Sequence, residues 1–121
     1  MSKRKTKSQA QPHRLGRGAL ERVAKIFSAF ADPTRLMILQ ELRAGERSVG
    51  QLVEVVGLAQ GSVSKQLQLL FDAGLLQRRK LGTQVIYSIA DEIVTTMCEQ
   101  VCDKLERDAR ASAAFLFRAG A

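Results

Sequence analysis

The stretch GLAQGSVSKQL, Gly57 to Leu67, lies between two apolar runs, and its reading decides the fold. Short polar side chains and a glycine stand where a helix begins. Such residues are mediocre helix formers and poor core material. They suit a surface that something else must approach closely.

The segments on either side are helical. Ser48 opens a helix, with Gln51 three residues on as its capping-box partner. Leu52, Val55 and Val56 form the expected inner face, and Gly57 ends it. After the turn, Val63, Leu67 and Leu70 recur at helical spacing, and Gly74 closes that element. Two short helices joined by a tight glycine-containing turn form a helix-turn-helix.

Upstream, Leu20, Val23, Ala24, Phe27 and Phe30 predict an amphipathic helix from about Ala19. Asp32-Pro33-Thr34 interrupts it; Asp32 suits a cap and Pro33 the first helical position. The next helix carries Leu36, Ile38, Leu39 and Leu42 and stops at Gly45. Downstream, Leu75 to Lys80 and Gln84 to Ile89 flank Gly82, which predicts a β-hairpin with a basic first arm. Asp91 suits the cap of a last, long helix. The expected fold class is mainly α (α+β), a winged helix-turn-helix with a two-stranded wing. The expected division is a basic mobile tail over 1–18, a folded domain over 19–110, and an extension over 111–121.

Composition limits the function. The chain has 121 residues and a net charge of +7, of which residues 1–18 hold +6 with no acid. An isoelectric point near 10.0 suits a nucleic-acid partner through release of counterions from phosphate. A charge run is also commonly a solvated tail. No apolar run reaches the ~20 residues of a membrane span, and a cytoplasmic location is expected. One histidine and no phosphate-cradling glycine loop argue against an enzyme. No cofactor is expected.

In a recognition helix the N-terminal residues face base edges. Gln60, Ser62, Ser64, Lys65 and Gln66 are the candidates there, with Gly61 letting the backbone come near. Arg79, Lys80, Thr83 and Gln84 are the candidates on the hairpin. Taken alone, the helical set reads as an ordinary solvated face, since Ser, Gln and Lys are common surface residues. A helix-turn-helix, a basic hairpin and a cationic tail together point at one polyanion.

The segments AFADPTRLMILQEL, VGQLVEVVGLAQGSVSKQLQLLFDAGLL and RRKLGTQVIYSI resemble the ArsR/SmtB family of dimeric winged-helix repressors. The resemblance implies a homodimer built from the first and last helices and a pseudo-palindromic operator in double-stranded DNA. It implies that the helix around Gln60 to Ala73 reads the major groove and that the hairpin around Arg79 to Gln84 is the wing. It also implies an inducer, which the residues do not identify. The family's metal sites are not intact here. Val49 and Gln51 stand where many members carry cysteines, and Ile93, Lys104 and Arg107 where others bind zinc beside an acid matching Asp91.

Cys98 and Cys102, four apart in CEQVC, share one face of the last helix with Val94, Val101 and Leu105. They are small apolar fillers of a helix-helix contact or a thiol sensor of redox or reactive sulfur. Soft-metal or arsenite binding is a further alternative that lacks an evident third ligand. A winged-helix module that binds protein, without an inducer, is the competitor to the repressor.

Overall fold

The computed structural model describes residues 14–118, with side chains through residue 113. The basic residues Lys3 to Lys7 and His13, and the side chains of Phe115 and Phe117, lie outside the described residues. The elements in chain order are α1 (Arg17–Phe30), α2 (Pro33–Arg43), β1 (Arg47–Ser48), α3 (Val49–Val56), α4 (Gln60–Asp72), β2 (Leu76–Leu81), β3 (Gln84–Ile89) and α5 (Ile93–Arg118). The three strands form an antiparallel sheet in the order β1-β3-β2.

Local chemistry sets most boundaries. The Asp32 carboxylate accepts from the Arg35 amide at 3.0 Å and caps α2 over Pro33. At α3 both bonds of the capping box are made: Ser48 Oγ accepts from the Gln51 amide at 3.1 Å, and Gln51 Oε1 from the Ser48 amide at 2.9 Å. Gly57 ends α3 at φ 76°, a left-handed conformation that side chains disfavour. The Ile93 amide donates to Asp91 Oδ1 at 2.8 Å at the start of α5.

The structure departs from expectation in three places. α1 begins at Arg17, two residues early, behind an N-cap glycine that offers no side-chain bond. On α3 the partly buried Val53 packs on the core, while Val55 is exposed. A third strand, β1, adds to the expected two-stranded hairpin: Arg47 pairs with Tyr87 and Ser48 with Ile86. α5 is the long last helix expected after Asp91.

The core joins Ile38, Leu39 and Leu42 of α2 to Leu52 of α3 and to Val63, Leu67 and Leu70 of α4. Leu75, Leu76, Tyr87 and Val94 close it from the sheet and the root of α5. This fixes the buried face of α4 and thereby turns the opposite face outward.

α1 behaves differently. Its apolar stripe is not absorbed by this core: Leu20 and Phe27 remain 51% and 58% exposed. On α5, Val101 and Leu105 are likewise 53% and 63% exposed.

Candidate nucleic-acid interface

Helix α4 starts at Gln60 behind Ala59, which makes no side-chain capping bond. The Ala59 carbonyl accepts from the amides of Ser62 and Val63 at 3.0 and 3.1 Å. Among the described residues no side chain caps the amides of Gln60 and Gly61, so the positive end of the helix dipole faces outward.

At 100° per residue, burial of Val63, Leu67 and Leu70 places Gly61, Lys65 and Gln68 on the opposite face, with Ser62 and Ser64 on its two flanks. Gln60, Ser62, Ser64 and Lys65 are all exposed. Gly61 is not demanded by packing: a Cβ there would meet no atom within 4 Å, and its φ is not left-handed. Glycine costs a helix about 1 kcal/mol against alanine, so Gly61 weakens the helix with no return within the fold.

Gln66 lies elsewhere. It is half-buried, and its Oε1 accepts from Arg35 Nη1 at 2.7 Å. The side chain expected to reach a base edge is therefore directed at α2. Gln68 is tied in the same manner. Its Oε1 accepts from Arg78 Nη1 at 3.0 Å, and its Nε2 donates to Asp72 at 2.9 Å.

The wing is the ribbon of β2 and β3, which turns at Gly82-Thr83 with Leu81 opposite Gln84. Gly82 takes φ 65°, as a two-residue hairpin loop requires. Side chains alternate in direction along a strand, so Arg78 and Lys80 leave one face of β2 and Arg79 the other. Arg78 faces α4, with its guanidinium 3.8 Å above the centre of the Phe71 ring. Arg79 instead pairs with Glu46 at 2.9 Å. Among the described residues neither Lys65 nor Lys80 makes an ion pair. A hollow of about 260 Å³ brings Gln60 of α4 together with Thr83 and Gln84 of the wing. Of the helical candidates, Gln60 thus shares a concave surface with two of the hairpin candidates.

The cysteines lie away from it. Cys98 and Cys102 are unbridged and line an apolar hollow of about 280 Å³ between α2 and α5, with Leu36, Met97 and Val101. Burial pushes the Cys98 thiol above its usual range, against the charge and hydrogen bond of Arg43. Cys102 and Glu99 push it further up. The cation that matters comes from α2, not from Lys104, which pairs with Asp108 at 2.7 Å. Among the described residues no group of three His, Cys, Asp or Glu is placed to hold a metal ion. No described helix is long and apolar enough to cross a membrane.

Residues 32–78 match the family model of bacterial regulatory proteins of the arsR family. The chain is 34% identical over 98 residues to a transcriptional repressor SmtB homolog of Synechocystis, covering 81% of this chain and 74% of that protein. The chain belongs to the ArsR family. It is an ArsR/SmtB-type, DNA-binding transcriptional repressor and not an enzyme. The crystal structure of Rv0081 from M. tuberculosis superposes with a TM-score of 0.74 at 31% identity, over 81% of this chain and 99% of that one. A homodimeric winged helix-turn-helix DNA-binding domain of Mycobacterium bovis, a possible ArsR-family regulator, gives 0.72 at 31% identity, over 84% and 95%.

Sequence reasoning missed Arg35 and Arg78, which hold α4 from its two sides, and Gln68, the α4 residue that Arg78 binds. Arg35 sits in the quoted DPTR segment and Arg78 opens the quoted RRKLGTQ segment. Only the fold brings them to α4.

Proposed function

We propose that this repressor is a homodimer that grips a pseudo-palindromic operator in double-stranded DNA. Gln60, Ser62, Ser64 and Lys65 enter the major groove, while Lys80, Thr83 and Gln84 of the wing meet the adjacent backbone. The carrying observation is the outward face of α4: an uncapped helix start, a glycine with open space above it and short polar side chains, continuous with the wing. An uncapped helix N-terminus also suits a phosphate oxygen.

The dimer reading is supported by the uncovered apolar residues of α1 and α5. Leu20, Val23 and Phe27 of α1 and Val101 and Leu105 of α5 are exposed large apolar residues of the sort that a partner surface covers. The Mycobacterium bovis neighbour is itself homodimeric.

The test uses a duplex selected by the full chain from a randomised pool. Affinity is expected to fall steeply with salt. Ser64→Ala is expected to weaken the selected duplex more than a random one. Equal losses on both duplexes remove the base-reading role, and absence of binding to any duplex at low salt removes the reading altogether.

Control through Cys98 and Cys102 is the second part of the reading, supported by their shared hollow between α2 and α5. With a hydroperoxide as oxidant, one thiolate attacks the O–O bond, giving a sulfenic acid and releasing water or an alcohol. The second thiol displaces water from that sulfur, and a disulfide forms. Bridging an i, i+4 pair distorts the helix, moving α5 against α2 and so changing the presentation of the two α4 helices. Peroxide is then expected to release DNA from the native chain and not from Cys98→Ser. An unchanged response of the double-serine chain leaves the cysteines as packing residues.

A further inference from the structure

We propose that Arg35 is a strut that sets the angle of α4 against α1, and that Gln66 is its foot, a positioning residue and not a base reader. One guanidinium reaches three groups. Its Nε donates to the Ala29 carbonyl at 3.0 Å, its Nη2 to the Ser28 carbonyl at 3.0 Å, and its Nη1 to Gln66 Oε1 at 2.7 Å. Both carbonyls lie in the last turn of α1: the residue four on from Ala29 is Pro33, which has no N–H to give, and the Ser28 carbonyl accepts also from the Ala31 amide at 3.0 Å. The third is on the recognition helix.

The strut is itself held in place. The Arg35 amide donates to the cap residue Asp32, and Pro33 fixes the entry of α2. Direct packing between α1 and α4 is thin at this point. A hollow of about 120 Å³ lies there, lined by Ser28 and Ala29 of α1 and by Leu69 and Ala73 of α4. The planar fork of arginine spans that gap with three donors at once, which an ammonium cannot reproduce. In the homodimer proposed above, on which this inference rests, α1 belongs to the shared interface. Arg35 then converts the position of the dimer helix into the spacing of the two recognition helices. Gln66 offers its acceptor to Arg35, and the outward face of α4 is left to Ser62, Ser64 and Lys65.

A double-mutant cycle on the full chain tests this, with the duplex it selects from a randomised pool as probe. Gln66→Met removes the foot and leaves the two α1 bonds, so it keeps the test open if Arg35→Lys folds poorly. Each single variant is expected to lose about tenfold on the selected duplex and to stay within about twofold on a random one. The double variant is expected to lose no more than the worse single, since both remove one interaction. Both variants are also expected to tolerate a one-base-pair change between half-sites better than the native chain. Fully additive losses, or Gln66→Met binding as tightly as the native chain, overturn the proposal. Light scattering decides the dimer separately. A monomeric native chain defeats the dimer reading, and the same cycle on a single half-site then decides the Arg35–Gln66 coupling.

Discussion

The guanidinium of Arg78 stacks on Phe71, 3.8 Å from the ring centre, and so joins the first strand of the wing to the last turns of α4. Its Nη1 also donates to Gln68 Oε1 at 3.0 Å and to the Tyr87 hydroxyl at 3.3 Å. Wing and recognition helix are therefore one polar-aromatic assembly. Two surfaces that must fit adjacent features of a duplex cannot move independently.

Arg78→Ala is expected to cost about 1.5–3 kcal/mol of unfolding free energy, the sum of an exposed cation–π contact and two hydrogen bonds. It is also expected to weaken DNA binding although Arg78 faces α4. Arg78→Lys keeps the charge and loses the planar fork, so it recovers little of either. Urea unfolding and a binding titration on the same samples check this. Native stability in Arg78→Ala contradicts it.

Gly61→Ala separates folding from binding. The position is helical and the space above it is empty of protein. The substitution is expected to stabilise the chain by about 0.4–1 kcal/mol. The added methyl stands where DNA approaches, so affinity for a selected duplex is expected to fall. A chain that gains stability and binds unchanged shows that α4 does not approach DNA through Gly61.

The signals that were legible are local ones. Ser48 with Gln51, Asp32 with Pro33, and Gly57 each act within four residues, and each acts as its sequence neighbours indicate. The stripe of Val63, Leu67 and Leu70 is buried as its spacing requires. What stayed hidden depends on partners distant in the chain. The two-residue strand β1 exists only because Tyr87 and Ile86 lie beside it. Gln66 and Gln68 resemble groove readers by residue type, yet Arg35, 31 residues away, and Arg78, 10 residues away, claim their oxygens. Arg79 is held by Glu46, 33 residues upstream. Residue type places a side chain on the polar face of a helix but does not say which polar group it meets.

Charge release distinguishes the basic residues. Lys65→Ala and Lys80→Ala are each expected to reduce the slope of log affinity against log salt by about 1, with similar losses on selected and random duplexes. Glu46→Gln releases Arg79 from its 2.9 Å ion pair and removes a negative charge beside the wing. It is expected to tighten binding at low salt and to steepen the slope. An unchanged slope in all three variants places the phosphate contacts elsewhere on the chain.

Cys98 gives a prediction in pH. Burial raises its pKa, so at a given pH the folded chain holds less thiolate there than the unfolded chain does. Alkylation by iodoacetamide proceeds through the thiolate, which displaces iodide. The rate at Cys98 is expected to reach half its maximum at a higher pH in the folded chain than in urea, with Cys102→Ser used to isolate the site. Arg43 opposes the shift by its charge and its hydrogen bond. Arg43→Gln is therefore expected to move the half-maximum still higher. The sign for stability follows from linkage: the unfolded thiol ionises first as pH rises. The contribution of Cys98 is full below the unfolded pKa and is lost as pH rises through the folded one. Folded-state alkylation that follows the unfolded profile, or a downward move in Arg43→Gln, contradicts the role of burial and of Arg43 at this thiol.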